Sequence, residues 1–497
     1  MSTPKADVVV IGAGPVGLLC AWLGRLCGLQ MAIVDTTAGP LAVGRADALN
    51  ARTLQLLEIV DLFDSLYPEG KPCKTSSVWA NGGFVSRQTQ WWDELEGCFH
   101  KHFLMLGQTH LEHLLDDKLN SAGAPVCRNT SVIDIKVGDE GCTTILSNGE
   151  TLHSRFAIGA DGAHSLVRNL FNVPFEVTRP QIIWAVLDGI IYTDFPKTPE
   201  IIVFQNATSE VAWVPRERDL DRFYVRMDTN TFTVEQVIAK INLAIQPYTL
   251  CFKKIVWFSQ FSVKESVAEH FAISDTIYLA GDACHVHSVN GGQGLNTGLA
   301  DAFNLIWKMN MVLRHGAPQP LLRLYQQERK PVALGVVKTS AELVRATKYS
   351  KEGTHAADYL KIVKKRAGYV TGMGIHYGEH ELHGKRLSDF IVSSDGGQAG
   401  ARIYTLLDYR FFTLLVFGNS KVRLDLPSFV RVMHIDEEMS PYRQQIILVR
   451  PDAYIAVSSS LSDISPIAAY LNALLPCSPA ATASRDISGH NRTASQA

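Results

Sequence analysis

The sequence predicts an α/β fold in which a Rossmann-like nucleotide-binding domain is interrupted by an inserted β-sheet domain and followed by a small α/β module. Three observations predict it. A Gly12-x-Gly14-x-x-Gly17 run sits between a β-branched segment and a helical one. Residues 182–261 then alternate like strands joined by turns (IIWAVLDGIIY, EVAWVPRE, RFYVRM). Ile277 to Ala280 finally returns to a buried-strand pattern ahead of a long helical stretch. At 497 residues the chain exceeds the size at which a single core stops growing, so several domains are expected.

Asp7 to Ile11 reads as a strand, Pro15 to Cys27 as a helix and Met31 to Val34 as a second strand ending at Asp35. Together they make a βαβ unit of about 30 residues. Thr53 to Phe63 and Gln108 to Leu119 have amphipathic helical spacing. Thr143 to Ser154 reads as a hairpin through Asn148-Gly149, followed by a strand at Phe156 to Ile158. Leu295 to Leu313 and the basic Val337 to Val370 read as helices. Further on, Thr413 to Phe417 and Gln445 to Val449 read as strands, with a helix fragment at Ile403 to Leu407. The expected boundaries are 1–180 and 266–345 for the two parts of the nucleotide-binding domain, 181–265 for the inserted sheet, 346–390 for a helical connector and 391–477 for the C-terminal module. Residues 478–497, small and polar, are expected to be disordered.

Composition removes several classes. Lys plus Arg (47) nearly balance Asp plus Glu (49), which leaves no net field to attract nucleic acid or an anionic membrane. The nine cysteines contain no CxxC pair, so neither a disulfide framework nor a thiolate zinc site is indicated. The apolar stretch Val8 to Leu29 is broken by Gly12, Gly14, Pro15, Gly17 and Arg25 and is too interrupted to span a bilayer. A cytoplasmic protein is the expectation.

The glycine run carries the first chemistry. Gly12 permits a tight turn, Gly14 lets a pyrophosphate approach the backbone, and Gly17 lets helix and strand pack closely. Asp35, 18 residues after Gly17, can accept from a ribose hydroxyl. This motif alone does not choose between FAD and a nicotinamide dinucleotide. Two further motifs bear on the choice. In AIGADGAHSLVR, Asp161-Gly162 follows a short strand, with Ser165 and Arg168 on the next turn. In IYLAGDACHVHSVNGGQGLN, Gly281-Asp282 end a strand, while Gly291, Gly292 and Gly294 form a loop that opens a helix at Leu295 and Asn296. Asp282 can accept from a sugar-alcohol hydroxyl. The glycine loop presents backbone N–H groups and a helix N-terminus to the negative charge a reduced flavin carries.

With these motifs in this order, residues 5–345 closely resemble the class A flavoprotein aromatic hydroxylases, and among them the phenol 2-monooxygenase type. The resemblance implies that all three motifs share one FAD, that the inserted sheet covers the substrate, and that NADPH has no domain of its own. It also implies that O₂ adds to the reduced flavin as a hydroperoxide that hydroxylates a phenolic substrate. By the same resemblance Gly12, Gly14, Gly17, Asp35, Arg45, Gln108, Asp161 and Asp282 contact the flavin cofactor, joined by Gly281, Gly292, Gly294, Leu295 and Asn296. The C-terminal end, with RFFTLLVFG and LVRPDAYIAV, resembles a shortened thioredoxin-like domain without redox cysteines and implies a homodimer contact. The full expected fold is therefore a Rossmann-like FAD-binding domain, an inserted β-sheet substrate domain and a shortened thioredoxin-like C-terminal module.

The segment Gly44-Arg45-Ala46-Asp47-Ala48-Leu49 resembles the family segment whose aspartate faces the phenol hydroxyl, and Pro215-Arg216-Glu217 with Arg222-Phe223-Tyr224 resembles one that supplies an arginine and a tyrosine. The implied catalytic set is Asp47, Arg216 and Tyr224. A neutral phenol, with a pKa of about 10, is a poor nucleophile, and a carboxylate in hydrogen-bond contact can take its proton. Plainer readings stand beside these. Asp47 could cap the helix that begins near Leu49, Tyr224 could be strand core, and RERDLDR could be a solvated turn. Arg216 could stabilise a phenolate or hold its loop, and Arg222 could meet NADPH. Val289 departs from the family, which commonly has a proline there, so dearomatising hydroxylation, epoxidation or Baeyer–Villiger oxidation remain alternatives, as does a non-catalytic FAD-binding redox sensor. No metal site is expected: His285 and His287 lie inside the flavin loop, and Gly374 and Gly378 argue against a regular helix beneath His376, His380 and His383.

Overall fold

The computed structural model describes the chain apart from residues 1–4, 89, 94, 178–181, 206–210, 264, 288–291, 349–364, 393–399, 419–422, 436–439, 476–481 and 487–497. The nucleotide-binding domain begins with β1 (Lys5–Ile11), α1 (Pro15–Leu26) and β2 (Met31–Val34). Next come α2 (Ala51–Ile59), the strands β3 (Ser76–Ala80) and β4 (Gly83–Gln88), and α3 (Gln108–Ser121). The strands β5 (Val132–Gly138), β6 (Gly141–Leu146) and β7 (Thr151–Gly159) complete its first part. The turn between β6 and β7 is the predicted Asn148-Gly149 hairpin.

The inserted domain runs through β8 (Ile182–Thr193), β9 (Ile201–Phe204), β10 (Val211–Pro215), β11 (Asp221–Met227), α4 (Val234–Ile245) and β12 (Leu250–Val263). The chain then returns through β13 (Ile277–Leu279), α5 (Gln293–His315) and α6 (Arg323–Lys348). Helix α6 starts ahead of the expected Val337, and a one-turn helix at Ala367–Val370 closes the expected span, whose middle lies outside the described residues.

The principal sheet has the order β2-β1-β7-β6-β5, with β13 also on β7. Strands β1, β7 and β13 run parallel, in a register that aligns Ile11 with Gly159 and Gly159 with Leu279. Each of the three motifs begins one or two residues after one of these positions: Gly12 after Ile11, Asp161 after Gly159 and Gly281 after Leu279. The ladder continues past the strand ends: Ala160 N donates to Ile11 O at 2.8 Å and Ala280 N to Gly159 O at 2.9 Å.

Sheet two has seven strands in the order β12-β8-β11-β10-β9-β3-β4. Two of them, β3 and β4, come from residues 76–88, so the sheet that the sequence places wholly in 181–265 also draws on the first part of the chain. Side chains alternate across it. Ala185, Leu187, Trp213, Phe223 and Val225 form one buried face, on which α4 lays Val237, Ile241 and Ile245. This helix lies in the stretch the alternating pattern assigned to strands. The spacing of those three residues, and a capping box in which Thr233 accepts from Gln236 N while Gln236 accepts from Thr233 N, were its signals.

The C-terminal module holds β14 (Phe412–Phe417), β15 (Val430–Ile435), β16 (Gln445–Val449), β17 (Ile455–Ser460) and α7 (Ser465–Leu474). Its order is β15-β14-β16-β17, with β14 parallel to β15 and the other pairs antiparallel. This is the thioredoxin-like arrangement, in which the described residues of the connection between β14 and β15 carry a strand at Arg423–Pro427. The tail expected to be disordered pairs Thr482–Asp486 with that strand. A backbone ladder needs no apolar side chains, which is why composition missed it. Among the described residues no helix is long and apolar enough to cross a membrane.

Packing at the glycine run separates structure from binding. A Cβ on Gly17 would lie 1.9 Å from the Gly12 carbonyl oxygen, whereas one on Gly14 would meet nothing within 4 Å. Gly17→Ala is expected to cost about 3 kcal/mol of stability and Gly14→Ala about 1 kcal/mol or less, as read from chemical denaturation of the two variants.

Candidate active site

The three motifs meet because their strands are parallel neighbours. Gly12 has φ of 101° and packs against the Asp161 turn, so closely that a Cβ there would touch Ala160 O at 2.5 Å. Helix α1 has no side-chain cap and no acid in its first turn, which leaves its N–H groups facing the open space beside Gly14. Asp35 braces this loop: Oδ2 accepts from Ala13 N at 2.6 Å and Oδ1 from Thr37 N at 2.7 Å. Asp161 accepts from Val167 N through Oδ2, while its buried Oδ1 has no partner. Arg168 ties the second motif to the third, donating to Ala163 O at 2.7 Å and to Ala283 O at 3.0 Å. Asp282 is exposed. Its surroundings push its carboxyl up, offset in part by His285 and Arg45.

Gly292 caps α5 in the left-handed conformation, again without a side-chain cap or first-turn acid. Leu295 and Asn296 follow in the first turn. Asn296 is fully committed: Nδ2 donates to Ala48 O at 2.9 Å and Gly292 O at 2.7 Å, and Oδ1 accepts from Asn50 N and Thr53 Oγ1. Its side chain therefore fastens the Asp47 segment to the helix start and is not free for a cofactor. Two open helix N-termini, an unpartnered buried carboxylate oxygen and a glycine cradle suit the phosphates, hydroxyls and ring edge of FAD. Gly12, Gly14, Asp35, Asp161, Asp282, Gly292 and Gly294 could hold it, with Gly17 beneath, while the N–H of Gly281 is committed to Asp301 at 3.1 Å. Val289 and Gly291 lie outside the described residues.

Asp47 lies between this loop and the inserted sheet. Asn50, not Asp47, caps α2, accepting from Thr53 N at 2.9 Å. The backbone of the segment is pinned by Leu106 N to Asp47 O, and by Gln108 N to Ala46 O, both at 2.9 Å. The Gln108 side chain meets Ala46 N and Glu112. Tyr224, on the face of β11 opposite the core, donates to Asp47 Oδ2 at 3.1 Å. Burial, followed by the charge of Asp47, pushes the Tyr224 phenol well up against the effect of Arg222, so it stays protonated.

The stretch read as a solvated turn is solvated only at its tip, Arg218 and Asp219; its flanks are buried, with Arg216, Glu217, Asp221 and Arg222 all 5 % exposed or less. Arg216 places Nε and Nη2 on Glu217 and Nη1 on Asp188, so all three of its nitrogens are engaged in holding its loop. Arg222 is wholly buried on Asp188 and cannot meet NADPH. The histidines are likewise engaged. His285 Nε2 lies 2.7 Å from Asp301, and His380 stacks on His383 while accepting from Leu382 N. Asp188, Asn50 and the roles of Arg168 and Asn296 escaped sequence reasoning. Asp188 alone left a signal, as an acid before Gly189 in an otherwise apolar strand.

Residues 5–340 match the model of the FAD binding domain family. The chain belongs to that family. Among relatives of this FAD-binding protein, a phenol 2-monooxygenase of Aspergillus fumigatus is 28 % identical over 457 residues, covering 84 % of this chain and 76 % of its own. A 3-hydroxybenzoate 4-monooxygenase of Comamonas testosteroni is 29 % identical over 446 residues, covering 81 % and 70 %. The fold is that of the anhydrotetracycline hydroxylase OxyS of Streptomyces rimosus, with a TM-score of 0.76 at 24 % identity over 95 % of this chain and 99 % of that one. The flavin-dependent monooxygenase PieE, solved with FAD and substrate, gives 0.79 at 19 % identity with the same coverage. The resemblance to the flavoprotein aromatic hydroxylases thus holds for family and fold.

Burial alone would push the Glu217 carboxyl up, but His110 and Arg216 overcome it and hold it well below the usual range. Because the folded value lies below the unfolded one, ionised Glu217 stabilises the fold above the ordinary carboxylate range, and this contribution is lost as pH falls from that range through the depressed folded value. Glu217→Gln is expected to lower stability near neutral pH by about 3 kcal/mol, since Arg216 loses a buried partner. Its thermal midpoint should then depend less on pH below about 4, measured by calorimetry.

Proposed function

We propose that this FAD-binding protein is an NADPH-consuming monooxygenase that hydroxylates a phenolic substrate, with Asp47 and Tyr224 activating the phenol. The observation that carries this reading is the 3.1 Å hydrogen bond from Tyr224 to Asp47 Oδ2, formed where the inserted sheet faces the start of α5. FAD, when bound, supplies electrons drawn from NADPH and an activated oxygen atom from O₂, the second oxygen leaving as water. The protein's part is acid–base and geometric. A phenol hydroxyl beside Tyr224 passes its proton through the tyrosine to Asp47, which gives the ring the electron density to attack. Tyr224 suits a relay because its raised pKa keeps it a donor to the carboxylate while its oxygen accepts from the substrate. The sheet excludes water and holds the ring against the flavin loop. We further infer a homodimer with the thioredoxin-like module at its contact, where sheet edges remain to be covered.

The test is to purify the FAD-loaded protein, screen phenols for faster NADPH oxidation and weigh the product. A substrate-dependent rate with a product heavier by one oxygen supports the reading, and a yellow protein that no phenol stimulates contradicts it. Asp47→Asn is expected to lower kcat by about 10²–10³-fold and Tyr224→Phe by about 10-fold or more, both within the range of general acid–base catalysis. Equal turnover in Asp47→Asn would remove Asp47 from the mechanism.

A further inference from the structure

Arg222 is the best-anchored cation near Asp47, and what anchors it comes from another strand. Asp188 of β8 stands directly opposite Arg222 of β11 in the antiparallel register. Asp188 Oδ1 accepts from Arg222 Nε at 2.6 Å, and Oδ2 from Arg222 Nη2 at 2.7 Å and from Arg216 Nη1 at 3.1 Å. The register of β8 against β12 shifts just after Asp188, at Gly189, and a Cβ on Gly189 would meet Lys254 O at 2.5 Å. Such a bulge re-aims the acid that precedes it. Trp257, opposite Asp188 on β12, lies 5.1 Å beneath the Arg222 guanidinium and blocks its other side.

This fork–fork pair takes two of the three Arg222 nitrogens away from the site. The remaining one, Nη1, is shared among Arg45 O at 2.5 Å, Tyr224 Oη at 3.2 Å and Asp47 Oδ2 at 3.3 Å. Without Asp188 the preferred partner for a guanidinium is a carboxylate held by two parallel bonds, and Asp47 is the one within reach. The other charged groups facing this cluster are Arg216 and Glu217 from the loop before β11 and His110 of α3, 3.6 Å from Glu217. They pair chiefly with one another.

We infer that Asp188 is a positioning residue: by holding Arg222 in a bidentate pair it keeps the guanidinium from closing on Asp47 and leaves the Asp47–Tyr224 couple open to a phenol. The inference rests on the reading of Asp47 as proton acceptor. It assigns a function to a residue that touches neither substrate nor cofactor.

The experiment uses the FAD-loaded full chain and 4-nitrophenol, whose ionisation is visible in its absorbance without turnover. The midpoint for ionisation of the bound phenol is measured against pH in the wild type, Asp188→Asn, Arg222→Met and Asp188→Glu. Loss of a negative charge lowers that midpoint and loss of a positive charge raises it, each by about one unit for groups this buried. Asp188→Asn is therefore expected to shift it down and Arg222→Met up, with Asp188→Glu close to wild type and FAD content unchanged in all three. Midpoints that stay fixed, or move in the same direction in both variants, overturn the inference, as does a double variant Asp188→Asn/Arg222→Met whose shift equals the sum of the two single shifts, because independent charges add whereas an effect exerted through Arg222 vanishes when Arg222 is gone. Asp47→Asn, run alongside, separates the two readings. A wild-type midpoint in that variant removes Asp47 as the acceptor, whatever Asp188 does.

Discussion

The parallel register of β1, β7 and β13 is the constraint on which the rest depends. Because Ile11, Gly159 and Leu279 are aligned, the residues that follow them emerge side by side, although hundreds of positions separate them in sequence. Any slip of one strand by a residue would turn its motif to the other face of the sheet. Long-range order is thus set by backbone hydrogen bonds and buried β-branched side chains. Chemistry is left to the loops that leave the strand ends, as is usual for ligands on open α/β sheets. Arg168 and Asn296 then convert proximity into rigidity, one tying the second motif to the third and the other tying α5 to the Asp47 segment.

The inserted sheet has a division of labour between its faces. One side carries Phe223, Val225 and Leu187 against α4 and supplies burial. The other carries Asp188, Arg222 and Tyr224, an unusual load of charge for buried positions, and faces the nucleotide-binding domain. Buried ion pairs are weak sources of stability once desolvation is counted. The network of Arg216, Glu217, Asp188 and Arg222 is better understood as fixing geometry around one carboxylate, which makes the substrate face rigid where the reading of Asp47 needs it to be.

Much of the fold was legible because its signals are local. The βαβ unit, the Asn148-Gly149 hairpin and the C-terminal strands declared themselves by periodicity and turn residues. The contribution of β3 and β4 to the second sheet was not legible, since strand pairing across more than a hundred residues leaves no local trace. Helix α4 was missed through a misjudged period despite a capping box at Thr233. Within the site, the glycines and acids at strand ends could be read from their context. The burial of the two flanks of RERDLDR could not, because a charged stretch is solvated unless distant partners such as Asp188 and His110 fold onto it. The same holds for Asn296, whose partners lie more than two hundred residues away.

The central claim is that one FAD is held at once by the ends of three parallel strands and the start of α5. Hydrogen exchange of the apoprotein before and after addition of FAD tests it most directly. Slowed exchange together in residues 12–17, 161–168 and 281–296, at a single flavin per chain, is the expected result. Protection confined to the first segment, or none in the last, would contradict it.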